Sequence, residues 1–138
     1  MKTEIQCRFV ASLSKVDWLC SELRERVLSE IPKCERFIAE LLLREALTNA
    51  VRHGTAAPGG EVWCEIELLE GGIAMRIGDA GEGFDWRRQL GAEAPPLAES
   101  GRGIQILRHY SSSLRFNQKG NCVEVIRMFN QGEHDGEF

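Results

Sequence analysis

The amino-acid sequence predicts an α+β fold: a two-layer sandwich in which a mostly antiparallel, mixed β-sheet carries about three helices on one face. Short segments alternate apolar and polar residues, as half-buried strands do, whereas two longer segments repeat apolar residues at helical spacing. Their order is strand, helix, helix, hairpin, helix, hairpin, which is typical of an antiparallel sheet covered on one side. With 138 residues, 43% of them hydrophobic, the chain is predicted to form one domain over residues 1–138.

The N-terminal part of the chain supplies a strand and a first helix. Residues 4–10 alternate apolar and polar side chains, which predicts a strand buried on one face. Apolar residues then recur at helical spacing, at Val16, Leu19, Leu23, Val27 and Ile31. Because Ser14 and Asp17 resemble a capping box, we expect this helix to begin there and to end at Pro32.

The middle of the chain predicts a long helix and a hairpin. The helix covers about residues 34–53 and stops at Gly54, because glycine is favoured just beyond a helix C-terminus. Residues 61–70 and 73–79 alternate as two strands around a Gly-Gly turn. Residues 80–100 show no sustained period, and a loop of this length inside a small domain usually has a function.

The C-terminal part predicts a short third helix and a second hairpin. The helix is expected over residues 103–110, and the strands over residues 114–116 and 123–129 around a turn at residues 119–121. Residues 130–138 form a polar tail that we expect to fray.

Charge and composition exclude several classes of partner. Seventeen Lys and Arg against twenty-one Asp and Glu give a net charge of -4 without any basic run, which disfavours nucleic acids and anionic membranes as primary partners. The sequence has no apolar stretch of membrane-spanning length and no signal peptide, so we expect a cytoplasmic protein. Five scattered cysteines without paired spacing are interpreted as reduced thiols rather than metal ligands.

A carboxylate and an amide lie four residues apart on the predicted second helix. At helical pitch, Glu45 and Asn49 project side by side at the margin of that helix's apolar face. An amide oxygen suits a hard Mg²⁺ ion and a carboxylate can accept a proton, so the pair could serve one small site. A polar pair that merely borders a buried stripe is the other interpretation of this spacing.

An acidic residue at the end of a predicted strand opens into a glycine-rich bend. Asp79 could lie at the floor of a pocket, where Gly81 and Gly83 would let the backbone pass close to a flat ligand. An ionised Asp79 would accept a hydrogen bond from the exocyclic amine of adenine, where guanine presents a carbonyl. The alternative is an ordinary turn leaving a strand.

A second pair of glycines lies where the long loop becomes the third helix. Gly101 and Gly103 would leave backbone N–H groups free to surround phosphate oxygens at the positive end of the helix, and Arg102 could add a charge-assisted contact. Ser100 followed by glycine is equally a simple helix start. Because GxxxxGK[ST] is absent and no GxGxxG follows the first strand, neither a P-loop nor a Rossmann site is expected.

Taken together, three motifs suggest a family. Residues 45–54 (EALTNAVRHG), 79–85 (DAGEGFD) and 99–106 (ESGRGIQI) resemble the N box and the two glycine boxes of the GHKL ATPase/kinase superfamily, which has the Bergerat ATP-binding fold. Within it, the chain is most similar to the RsbW-type anti-sigma-factor serine kinases. The resemblance covers nearly the whole chain, and three ordered motifs are more specific than any one of them.

The resemblance implies a role for each matching residue. Asn49 corresponds to the Mg²⁺-binding asparagine, Glu45 to the catalytic carboxylate and Asp79 to the aspartate that reads adenine, with residues 80–100 as the ATP lid. The candidate cofactor-binding set is completed by His53, Gly81, Gly83, Ser100, Gly101, Arg102, Gly103 and Ile104. The simpler role for His53 is that of a cation at the C-terminal end of a helix dipole.

The resemblance also implies an activity and partners. We expect a Mg-ATP-dependent serine/threonine kinase that holds a sigma factor inactive, phosphorylates a serine of a STAS-domain anti-sigma antagonist and forms a homodimer. Glu45 would take the proton of the attacking hydroxyl, while Arg87, Arg88 and Arg102 are candidate phosphate contacts; solvated positions are the simpler interpretation for Arg87 and Arg88. Two alternatives stay open: an ATP-binding module that binds partners without phosphotransfer, and an interaction domain without nucleotide.

Overall fold

The computed structural model describes residues 2–54, 60–81 and 102–130 of the chain. These residues contain five strands: β1 (Lys2–Val10), β2 (Glu61–Leu69), β3 (Gly72–Asp79), β4 (Ser113–Phe116) and β5 (Cys122–Met128). They form one open sheet in the spatial order β1-β2-β3-β5-β4. The predicted α+β sandwich is confirmed. Every pairing among the described strands is antiparallel, so the parallel pair that a mixed sheet would contain is not present in this part of the chain.

Three described helices pack on one face of the sheet: α1 (Leu13–Arg26), α2 (Lys33–Gly54) and α3 (Arg102–Tyr110). The first helix was expected to reach Pro32, but it ends at Arg26 and is followed by a 3₁₀ turn, Leu28–Glu30. Val27, at φ -125° and ψ -39°, is the C-cap of α1, whereas Pro32 acts only on the residue before it: Ile31 is extended, at φ -110° and ψ 138°.

The predicted capping box at the start of α1 is wrong. Ser12, not Ser14, is the N-cap residue, and its hydroxyl lies 2.8 Å from the Ser14 hydroxyl instead of capping a backbone N–H. Asp17 accepts a 2.7 Å bond from Arg44 of α2. The acidic residue of the supposed box therefore joins the two helices.

The core lies between the helices and the sheet. Residues that alternate along β2 and β3 point at the helices, and the largest fully buried side chains include Leu42, Leu47, Ile66, Ile73, Met75 and Ile77. Seven of the eight residues of β3 are buried; it is the central strand, with β2 paired along one edge and β5 along the other. The β2–β3 turn uses Gly71 at φ 77°, a conformation that favours glycine.

A buried ion pair joins the three elements that flank the site described below. Arg127 on β5 donates two hydrogen bonds to the Glu35 carboxylate at the start of α2, at 2.7 and 3.2 Å, and a third to the Tyr110 carbonyl at the end of α3, at 2.8 Å. Only 3% of the Glu35 side chain is exposed. Because two parallel bonds satisfy this buried charge, the pair fixes the relative positions of α2, α3 and β5.

No helix among the described residues is both long enough and apolar enough to cross a membrane.

Candidate functional site

A pocket opens where α2, α3 and the ends of β3 and β5 meet. It is a partly open depression, and the empty space between its walls is about 290 Å³ when the open solvent at its mouth is included. The residues that line it are Ala46, Asn49, Ala50, Ile77, Asp79, Leu107, Phe116, Gly120, Asn121, Cys122 and Val123. Apolar side chains form most of the wall and a few polar groups converge on it, which is the usual composition of a small-molecule site.

Asn49 and Glu45 lie one turn apart on α2, as the spacing predicts, and both side chains are partly exposed. The Asn49 Nδ2 atom is buried yet has no hydrogen-bond partner, the only such side-chain atom among the described residues. A buried polar atom without a partner is costly in a folded protein, so this amide is an expected contact for a ligand.

The first turn of α3 lies directly on this pair. A Cβ atom built on Gly103 would lie 2.9 Å from Glu45 Oε2 and 3.4 Å from both amide atoms of Asn49. No residue with a side chain could occupy position 103 without moving the carboxylate. The structure therefore brings Glu45, Asn49 and Gly103 together, and the next candidate, Ile104, is buried at 1% exposure.

Asp79 is the last residue of β3 and one of two buried acidic residues among those described, with 8% of its surface exposed. Its Oδ1 atom accepts a 2.7 Å hydrogen bond from the backbone N–H of Gly81, which closes a short Asx turn. Asp79 and Gly81 thus both lie at the pocket end of β3, as the glycine-rich bend predicts, and the turn sets the direction of the carboxylate.

Asn121 holds this bend from the β4–β5 turn, and sequence reasoning missed it. Its backbone carbonyl accepts from the Asp79 N–H at 2.9 Å, and its Nδ2 donates to the carbonyls of Asp79 and Gly81 at 3.1 and 3.4 Å. The turn at residues 119–121 was predicted, but turn residues alone do not reveal which strand end they contact. The only signal in the sequence was an asparagine in a predicted turn.

Cys122 lines the pocket as a neutral thiol. Burial raises its pKa, and the nearby carboxylates of Glu124 and Asp79 raise it further. An uncharged thiol beside Ile77 and Val123 keeps this side of the pocket apolar, which suits the flat face of a base.

Several sequence-predicted residues lie outside the described part of the chain. These are Gly83, Ser100 and Gly101, together with Arg87 and Arg88. The described residues include the backbone but not the side chains of His53 and Arg102, and they include only Ala80 and Gly81 of the predicted lid and only Asn130 of the predicted tail. Their assigned roles stay predictions.

The residues present fit ATP and Mg²⁺. Magnesium usually takes one or two protein oxygens and completes its shell with phosphates and water, and Asn49, which lines the pocket, carries an amide oxygen of that kind. The first turn of α3 approaches Glu45 and Asn49 closely at Gly103, so a helix N-terminus, which favours phosphate oxygens, lies beside the same two residues. Asp79 offers an acceptor at the opposite part of the pocket wall, on β3.

Comparison with known proteins gives the family. A family model described as the histidine kinase-like ATPase domain matches residues 9–127. A solved histidine kinase domain from the Erythrobacter litoralis EL346 blue-light activated histidine kinase is similar over 86% of this chain and 61% of its own length, with a TM-score of 0.52 and 16% sequence identity, which shows the fold alone. No curated protein matches the chain. Since the family model covers most of the sequence, the chain belongs to the histidine kinase-like ATPase domain family, a branch of the GHKL superfamily.

Proposed function

We propose that this chain is a Mg-ATP-dependent protein serine/threonine kinase that acts as an anti-sigma regulatory factor. Membership of an ATPase domain family implies that it binds ATP. The observation that carries the finer proposal is that Asn49 and Asp79 line one pocket while Glu45, a proton acceptor, lies one turn from Asn49.

Asp79 selects the base. Its carboxylate direction is set by the Gly81 N–H, so it presents a fixed acceptor to the exocyclic amine of adenine. Guanine carries a carbonyl oxygen at that place, which a carboxylate repels. Ala46, Ala50 and Val123 supply apolar surface around the base.

Glu45 acts as the general base. It takes the proton of an incoming serine hydroxyl as that oxygen bonds to the γ-phosphorus of ATP and the bond to the β-γ bridging oxygen breaks, which leaves ADP. Asn49 would hold Mg²⁺, whose charge stabilises the phosphates during transfer. The first turn of α3 lies beside Glu45 and Asn49 at Gly103, and the free backbone N–H groups at a helix N-terminus favour phosphate oxygens.

The partners rest on the resemblance to the RsbW-type kinases. We propose that the phosphate acceptor is a serine of a STAS-domain anti-sigma antagonist, that the sequestered protein is a sigma factor, and that the kinase is a homodimer. The chain covers 61% of the length of the solved histidine kinase domain, whose name states a different activity, so nothing about substrates is carried over from it.

Two measurements test the proposal. ATP with Mg²⁺ should raise the melting temperature, because a ligand selective for the folded state must stabilise it, and Asp79→Asn should remove the preference for ATP over GTP. Labelled ATP and a STAS-domain protein should then yield phosphoserine, and Glu45→Ala should stop transfer while largely sparing ATP binding. ATP binding without a phosphoprotein would favour a nucleotide-dependent binding module, and no thermal shift at all would exclude a nucleotide function.

A further inference from the structure

We infer that Asn121 and Asn117 form a relay that positions Asp79, so that the β4–β5 turn is part of the base-reading machinery. The inference rests on the proposed function, since it concerns how the pocket presents its carboxylate to adenine. Neither asparagine belongs to the motifs that indicate the site; both lie in the segment NQKGNC, residues 117–122.

The first step is the end of the β3–β5 ladder. The last paired residues of these strands are Gly78 and Cys122, so strand pairing stops just before Asp79. Beyond that point Asn121 forms the hydrogen bonds that connect the end of β3 to the β4–β5 turn. It accepts from the Asp79 N–H through its backbone carbonyl and donates from Nδ2 to the carbonyls of Asp79 and Gly81.

The second step links those carbonyls to the carboxylate. The Asp79 side chain takes its direction from the Gly81 N–H, which it binds at 2.7 Å. One amide of Asn121 holds the carbonyls of both residues of this Asx turn, at 3.1 and 3.4 Å. Moving Asn121 therefore moves Gly81 relative to Asp79 and rotates the acceptor that adenine would meet.

Asn117 determines which end of the Asn121 amide faces Asp79. An asparagine amide can exchange its oxygen and nitrogen by a half-turn, but Asn121 Oδ1 accepts a 2.7 Å hydrogen bond from Asn117 Nδ2. That bond leaves Nδ2 of Asn121 as the group directed at Asp79. Asn117 thus fixes the orientation of the Asn121 amide, and Asn121 Nδ2 donates to the carbonyls of Asp79 and Gly81.

Asn117 is itself held by the turn that it organises. Its Oδ1 atom accepts from the backbone N–H groups of Gly120, Asn121 and Cys122 at 2.8, 3.0 and 3.2 Å. Gly120, at φ 82°, supplies the left-handed residue that this tight turn needs. Three backbone donors thus hold Asn117 Oδ1, which leaves its Nδ2 directed at Asn121.

The relay predicts which substitutions matter. Asn121→Asp keeps the side-chain size but places a carboxylate oxygen against two carbonyls, so the bend loses its donor. Asn117→Asp retains an acceptor for the three turn N–H groups and replaces the amide group that donates to Asn121 Oδ1 by a carboxylate oxygen. Lys119→Ala, at an exposed position of the same turn, is the matched control.

The test compares ATP with purine riboside triphosphate, an analogue that lacks the exocyclic amine. We expect Asn121→Asp and Asn117→Asp to weaken ATP binding about tenfold, the loss of one good hydrogen bond, and to change the affinity for the analogue by less than about twofold. Lys119→Ala should change neither affinity. In an Asp79→Asn background, Asn121→Asp should have no further effect on ATP, because a positioning residue acts only through the residue that it positions.

Each other outcome overturns a defined part of the proposal. Equal losses for both nucleotides would show a merely structural role and overturn the relay while leaving the nucleotide function intact. Undiminished ATP affinity in both asparagine variants would do the same. A wild-type chain that binds neither nucleotide would overturn the proposed function itself. Melting temperatures without nucleotide identify a variant that does not fold, and the milder Asn117→Asp then decides the question.

Discussion

Asn49 on α2 and Asp79 at the end of β3 line the same pocket, although they come from different layers of the sandwich. Their shared position depends on the packing of α2 across β3, the central strand of the sheet. Asn49, proposed to act at the phosphate end of a nucleotide, and Asp79, proposed to act at the base, thus face one pocket. The core between α2 and β3 holds the two residues in these positions.

Gly103→Ala should impair phosphotransfer without unfolding the protein. Replacing an exposed helical glycine by alanine usually stabilises a helix by up to about 1 kcal/mol, but here the new methyl would lie 2.9 Å from Glu45 Oε2. The flexible carboxylate must move, so the transfer rate should fall at least tenfold while the melting temperature stays within a few degrees. A Gly103→Ala chain that transfers phosphate at the wild-type rate would contradict this effect of the contact on Glu45.

Gly78→Ala should destabilise the sheet because of one neighbour. A Cβ atom at position 78 would overlap the indole ring of Trp63, its partner across the β2–β3 register. We expect a loss of about 1 to 3 kcal/mol in the free energy of unfolding, measured in urea, together with a change in tryptophan fluorescence. In a Trp63→Val background the sign should reverse, since alanine is then simply a better strand residue than glycine. A loss that persists in that background would contradict the overlap.

The elements and part of the site could be predicted because their causes are local. Helical pitch alone brings Glu45 and Asn49 together, and alternation alone assigns the buried faces of β2 and β3. Such patterns need no knowledge of what lies across the fold. The start of α1 was wrong because the Ser14–Asp17 pair matches a local pattern whose acidic member is engaged by Arg44 instead.

The contacts that organise the site come from long-range pairing, which no local pattern encodes. Arg127 and Glu35 are 92 residues apart, and Asn121 meets Asp79 from 42 residues away. Which turn faces the acidic bend is decided by the insertion of β5 between β3 and β4, and that strand order follows from burial across the whole sheet. The sequence shows which residue types are present, but it does not show which residues they contact in the fold.

Arg127→Met should be strongly destabilising, and a matched surface pair shows why. Arg127–Glu35 and Arg24–Glu40 both have an N–O distance of 2.7 Å, but the arginine side chains are 14% and 50% exposed. Removing Arg127 leaves the Glu35 charge buried without its partner, which costs about 3 to 5 kcal/mol. Arg24→Met should cost about 1 kcal/mol or less, because water replaces an exposed partner.

Urea unfolding of the two variants at neutral pH measures the difference. Similar losses in both would show that burial does not govern the Arg127–Glu35 pair. Because Arg127 also binds the Tyr110 carbonyl at the end of α3, its loss should loosen that helix as well, and hydrogen exchange of the α3 amides should accelerate in Arg127→Met and not in Arg24→Met.

The buried thiols should make the protein less stable at alkaline pH. Burial raises the pKa of Cys64 far above its ordinary value of 9.0, so the folded chain keeps a proton that the unfolded chain releases. The contribution of Cys64 to the free energy of unfolding is therefore complete below about pH 9 and is lost as the pH rises, at no more than about 1.4 kcal/mol per pH unit.

Unfolding in urea with a reductant from pH 7.5 to 10 should show this slope. Cys64→Ala should reduce the slope, although the substitution lowers stability at pH 7.5. Cys34→Ala, which removes an exposed thiol, should leave the slope unchanged. An equal slope in Cys64→Ala and wild type would rule out the buried thiol as its source.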